Sequence, residues 1–103
     1  MIKVSVLYPN TPGASFDTSY YFTKHMPMVA GKFGSAARTT SVDQGLGGAA
    51  PGSPAPFVMM AHFTFESIGA FQAAFGPHAA EIMGDIPNYT SIEPIVQISE
   101  VKI

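Results

Sequence analysis

The chain has no cysteine among its 103 residues, which removes disulfides, thiolate metal sites and cysteine nucleophiles together and agrees with a reducing cytoplasm. Charge is scarce as well. Only 12% of residues are Asp, Glu, Lys or Arg, about half the usual share, so a single copy carries an unusually charge-poor surface, part of which is expected to be covered by another chain. The five basic residues Lys3, Lys24, Lys32, Arg38 and Lys102 are scattered against a net charge of −2 and form no patch able to neutralise several phosphates, so nucleic acid is not an expected partner. No apolar run approaches the roughly 18 residues of a membrane span, and Met1 leads into a strand pattern rather than a charged and then apolar leader. No membrane is expected, and a cytoplasmic location is. His25, His62 and His78 share no metal-ligand spacing, and no Gly-x-Ser-x-Gly elbow is present. Neither a metal, nor a cofactor, nor a serine nucleophile is therefore expected.

What is present reads as one α+β domain. Ile2 to Tyr8 sets Ile2, Val4, Val6 and Tyr8 against Lys3, Ser5 and Leu7, and Pro9-Asn10-Thr11-Pro12-Gly13 stops it as a first strand. A helix follows from about Thr18, with Asp17 placed to cap it and Phe16 to staple its entry. Ala36 to Leu46 reads as a weaker strand suited to an edge. Gly45 to Pro56, made of glycine, proline, alanine and serine without periodicity, reads as a flexible connection or lid. Phe57 to Phe65 is too continuously apolar for a strand with one face in water, so both its faces are expected to be covered. Ser67 can cap a second helix carrying Ile68, Phe71, Ala74 and Phe75, interrupted at Gly76-Pro77 and resumed from His78 to Gly84. A turn over Asp85 to Tyr89 leads to a last strand from Ile92 to Val101, with Pro94 suggesting a bulge or an edge. The order βαββαβ is the ferredoxin-like arrangement: a four-stranded antiparallel sheet with both helices on one face.

Both helices on one face leave the other face bare, yet strands one, three and four are apolar on both sides. A second sheet is expected to meet it, which makes the protein a homodimer. In strand three the alternation puts Phe57, Met59, Ala61, Phe63 and Phe65 on the helix side and Val58, Met60, His62 and Thr64 on the other, where Ser5, Leu7, Ile95 and Gln97 join them. A largely apolar cavity with a few polar groups, suited to a small apolar organic molecule, is expected between the sheets, with His62, Thr64 and Gln97 as binding residues.

The run Tyr20-Tyr21-Phe22-Thr23-Lys24-His25-Met26-Pro27-Met28 carries the most chemistry. Tyr21 and His25 are an i, i+4 pair on one helix face, and Pro27, which cannot donate, should end or kink the helix just past the histidine. An imidazole at such a break can act as base or acid near neutral pH, and a tyrosine hydroxyl can hold a developing oxyanion. His25 is thus the candidate acid or base, with Tyr21 or Tyr20 as the donor that orients substrate.

With the apolar strands and the late run Asp85-Ile86-Pro87-Asn88-Tyr89, the sequence Tyr-Tyr-x-x-x-His-Met-Pro-Met resembles the EthD family, named for a protein of ethyl tert-butyl ether degradation. The family's His-Met-Pro-Leu appears here as His25-Met26-Pro27-Met28, one flexible apolar side chain exchanged for another. The resemblance implies a dimeric α/β barrel built from ferredoxin-like subunits, and Asp85 and Tyr89 match the family's late Asp and Tyr as further binding residues. Two functions follow: an enzyme or accessory factor that moves a proton on a small organic compound, or a non-catalytic dimer that carries a hydrophobic metabolite. The sequence does not decide between them.

Overall fold

The computed structural model describes residues 1–103 and has the element order read from the sequence. Strand β1 (Ile2–Pro9) buries Val4 and Tyr8 on one face, as its period of two requires. Helix α1 (Thr18–Tyr20) starts at Asp17, whose carboxylate accepts the Tyr20 backbone N–H at 3.0 Å. It continues without a break through a wide π-helical turn, Tyr21–His25, into α2 (Met26–Phe33), which Gly34 ends at φ +54°. The expected break at Pro27 is therefore not a chain stop. Proline removes a donor and crowds the carbonyls of the turn before it, and a turn closed from the Met26 N–H to the Tyr21 carbonyl gives the ring room while the helix runs on.

Strand β2 (Thr39–Gln44) is mostly exposed, and β3 (Phe57–Phe65) alternates strictly, with Met59, Ala61, Phe63 and Phe65 buried. Ser67 caps α3 (Ile68–Phe75) by accepting from the Ala70 N–H at 3.0 Å. Gly76 and Pro77 turn the chain into α4 (Ala79–Asp85), and a short turn Ile86–Asn88 leads to β4 (Ile95–Glu100), which begins just after Pro94. The sheet order is β2-β3-β1-β4, all neighbours antiparallel, so both weaker strands sit at edges.

Helices and sheet enclose two apolar clusters. Val4, Val29, Phe33, Ala61, Phe63, Phe65 and Ile82 make one, and Tyr8, Tyr21, Met59, Ile86, Tyr89 and Ile92 make the other. In the single chain the second face of β3 is only half covered: Val58, Met60, His62 and Thr64 all retain partial exposure. At β4 the helices stop short of covering the sheet and leave Val96 50% exposed on their side, while Ile95, on the bare face, is 52% exposed. The segment Gly45 to Pro56 closes the β2–β3 hairpin. Its ends are pinned by Gly45 N–H to Val58 O and by Asn10 N–H to Pro56 O, both at 2.9 Å. No helix is long and apolar enough to cross a membrane.

Candidate active site

The start of the first helix is stitched to the segment after α4. Asp17 N–H donates to Tyr89 O at 2.7 Å and Thr90 Oγ1 donates to Ser15 O at 2.6 Å. This brings two distant parts of the sequence together at one point: the Tyr-Tyr-His run and the Asp85-to-Tyr89 run. His25 Nδ1 lies 2.9 Å from Asp85 Oδ2, while Asp85 Oδ1 accepts from Tyr20 Oη at 2.6 Å and from Asn88 Nδ2 at 2.9 Å. An ionised carboxylate can only accept, so the network assigns the proton to Nδ1 and leaves the lone pair of the neutral imidazole on Nε2. The ring itself is 4% exposed, parallel to Tyr21 with centroids 5.7 Å apart, and 4.6 Å from the Tyr89 ring.

Burial lowers the His25 pKa below its ordinary 6.5, although the Asp85 hydrogen bond and charge pull the other way, so the ring is neutral at pH 7. For Asp85 burial pushes the carboxyl up, and the hydrogen bonds from Tyr20, Asn88 and His25 outweigh it, so the net shift is downward. Tyr20 is raised, first by its hydrogen bond to Asp85. Desolvation by burial also raises the phenols of Tyr8, Tyr21 and Tyr89. They are donors, not phenolates.

His25, Tyr21 and Tyr8 share the wall of a cavity of about 350 Å³ between helices and sheet, whose other walls are aliphatic and aromatic, among them Val6, Ala61, Phe75 and Met83. No Asp, Glu, Lys or Arg lines it. Its exposed lining residues, Val96 on β4 and Met83 on α4, mark the gap through which it opens. One polar atom in the wall is orphaned: Tyr21 Oη is buried without a hydrogen-bond partner, although Tyr8 Oη and Tyr89 Oη, 2.6 Å apart, share a hydrogen bond.

The expected site residues thus divide. His25, Tyr21, Tyr20, Asp85 and Tyr89 come together as one cluster. His62, Thr64 and Gln97 do not join it, because strand alternation puts them on the opposite face of the sheet from Ala61 and Phe63. There His62 Nδ1 meets Ser5 Oγ at 2.8 Å, Thr64 Oγ1 meets Thr39 Oγ1 at 2.6 Å, and Gln97 Nε2 donates to Ser99 Oγ at 2.9 Å. Within the single chain the cavity lies under the helices rather than against that face, since the small side chains of Val4, Val6 and Ala61 leave room there. The loop Gly45 to Pro56 contributes nothing to its lining, so it is no lid on this cavity. Sequence reasoning missed Tyr8 and Asn88. Tyr8 shares its parity with Val4 and Val6, and Asn88 stands three residues after Asp85, so both signals were available. No three His, Asp or Glu side chains converge as a metal set.

A family model described as EthD domain matches residues 13–93, a span that includes both runs of the site. Among solved structures, an EthD-like protein from Ralstonia eutropha JMP134 is 52% identical, covering 99% of this chain and 92% of its own at a TM-score of 0.93. An ethyl tert-butyl ether (EthD) family protein from Bacillus halodurans C-125 is 19% identical, with 99% of each chain covered and a TM-score of 0.68. HapK from Hahella chejuensis is 11% identical over 100% of this chain and 95% of its own, at a TM-score of 0.59. The last two likenesses are of fold alone. A search among curated proteins finds no match.

Proposed function

The chain belongs to the EthD domain family, and we propose that it binds a small, mostly apolar organic molecule in the helix–sheet cavity and moves a proton on it at His25. The observation that carries this reading is the Asp85–His25 pair, which holds Nδ1 and leaves Nε2 unbonded in the wall of an otherwise apolar cavity. Nε2 takes the proton, Asp85 stabilises the imidazolium that forms, Tyr20 and Asn88 hold Asp85, and Tyr21 donates to oxygen charge as it develops. Proton transfer of this kind asks for no metal or cofactor. The setting is the catabolism of small organic compounds, in the manner of the ether degradation for which the family is named, and the lack of cysteine suits a cytoplasmic place for it.

We also propose that two copies pair through the bare faces of their sheets as a dimeric α/β barrel. What supports this is the apolar row Leu7, Val58, Met60 and Ile95, together with the exposed edge strand β4. His62, Thr64 and Gln97 then belong to the interface rather than to the His25 site. The experiment that tests the catalytic reading is turnover, or affinity for an identified ligand, in His25→Ala against His62→Ala. Loss at His25 alone supports it, whereas unchanged turnover with a lowered melting temperature makes His25 structural. Tight binding with no turnover in the parent protein favours the carrier.

A further inference from the structure

We infer that the ligand is an uncharged carbonyl compound with a hydrogen α to the carbonyl, an inference that rests on the cavity being the site proposed above. Two features of the wall set the class. The first is charge. The cavity presents no Lys, Arg, Asp or Glu, and its one ionisable base, His25, is neutral at pH 7 and already turned by Nδ1 toward Asp85. A carboxylate or phosphate entering here would lose its water and find no cation, and an ammonium would find no anion, since Asp85 lies behind the imidazole and does not line the cavity. Such ligands are excluded by desolvation.

The second feature is the pair of unmet polar groups. Tyr21 is 0% exposed and its hydroxyl, an obligate donor while its pKa is held up by burial, has no acceptor in the protein. A buried donor without a partner is a standing cost, and an acceptor atom that a ligand brings relieves it. His25 Nε2 is the complementary group, an acceptor for a proton. Tyr21 and His25 stand one turn apart on one helical segment, with rings near parallel at 5.7 Å, and both line the cavity, so a single ligand that carries an oxygen acceptor and, near it, a weakly acidic hydrogen matches the pair. A ketone with an α C–H has that layout. The step balances within the site: the α C–H bond breaks as N–H forms at Nε2, its electron pair becomes the C=C of an enolate, and the carbonyl π pair moves to the oxygen that Tyr21 holds. Return of the proton to oxygen or to a carbon regenerates the neutral imidazole, and no oxidant or reductant is needed. At about 350 Å³ the cavity lies near the lower end of the range for small-molecule sites, roughly 300–1,000 Å³, which suits a compact ring or branched chain.

The test uses four probes of one shape on the intact protein at pH 7.5: cyclohexanone, methylcyclohexane, cyclohexanecarboxylate and cyclohexylammonium. Binding is read from the methyl resonances of Val6, Ala61 and Met83. Cyclohexanone should bind about 2- to 10-fold tighter than methylcyclohexane, and that preference should vanish in Tyr21→Phe, which deletes only the unpaired hydroxyl and keeps the packed ring. The two charged probes should bind at least about 100-fold more weakly than the ketone. A charged probe binding as tightly as cyclohexanone, or a ketone preference that survives Tyr21→Phe, overturns the ligand class while leaving the cavity as the site. If no probe moves the cavity resonances, the cavity itself is wrong and the inference falls with it. In D₂O the bound ketone should exchange its α hydrogens faster than in buffer alone and no faster than buffer with His25→Ala, and an unaccelerated rate in the parent protein overturns the proton-transfer step.

Discussion

At the scale of single residues the pH behaviour of His25 follows from its environment. Its pKa is lowered in the folded protein, so as pH falls from about 6.5 the unfolded chain takes up a proton before the native one, and stability declines in that direction. Asp85, also lowered, adds a second loss of the same sign as pH falls through its ordinary value of 3.8. Turnover should therefore show an acidic limb with a midpoint below 6.5, which moves lower still in Asp85→Asn because the charge that favours the imidazolium is gone. A pH–rate profile and thermal melts between pH 2.5 and 8 check these statements. His25→Ala should cost about 10²- to 10⁴-fold in rate, the usual worth of a general acid or base, while His62→Ala leaves the rate near that of the parent. That Tyr21 and His25 share one helix face was legible from their spacing, and Asp85 and Tyr89 stood out only through the family likeness, with no signal that the two runs meet. That Tyr21 is the orphan while Tyr8 and Tyr89 share a hydrogen bond was not legible, since it depends on which rings meet across 81 positions of sequence.

At the scale of elements, caps and alternation were readable and turn width was not. Asp17 and Ser67 do what their side chains allow at helix starts, and the period of two in β3 sorts its residues correctly. Of the two outcomes expected at Pro27, an end or a kink, the helix does not end: a π turn just before the proline absorbs it, and no local residue pattern distinguishes the two. The hairpin loop makes its own prediction. A Cβ on Gly45 meets the Phe57 carbonyl oxygen, which is backbone and has no freedom to swing aside, whereas one on Gly48 meets first the Ser53 hydroxyl, a side chain that can turn at the loss of its bond to Ala50 O. Gly45→Ala should destabilise by about 1–3 kcal/mol, the ordinary cost of overpacking, and Gly48→Ala by less, as denaturant melts will report. Within the loop, amides from Leu46 to Gly52 should exchange faster than those of β3, because Leu46 is 99% exposed and packs on nothing.

At the scale of the molecule, the reading that both faces of β3 are covered anticipates more than one chain supplies. The single copy buries only the helix side, and the composition, poor in charge, points to a partner for the rest. Light scattering at micromolar concentration should find a dimer, and Met60→Glu, which places a carboxylate in the middle of the bare face, should shift it toward monomer while the far-ultraviolet circular dichroism stays unchanged. A pairing of this obligate kind buries upwards of about 2,000 Å² in total. A stable monomer in the parent protein would remove the barrel from the proposal and leave the His25 cavity intact.

The sheet is one residue thick, and its central strands alternate without a slip from Ile2 to Tyr8 against Met59 to Phe65. Val4, Val6 and Tyr8 of β1 and Ala61 and Phe63 of β3 line the cavity, and their immediate neighbours look the other way. Parity thus becomes a coordinate for engineering. A library at 4, 6, 61 and 63 should reshape what the protein accepts and leave the proposed pairing of copies alone, and a library at 5, 7, 60 and 62 should do the reverse. Ligand choice and the proposed pairing of copies would then be set independently, on alternate letters of the same two words.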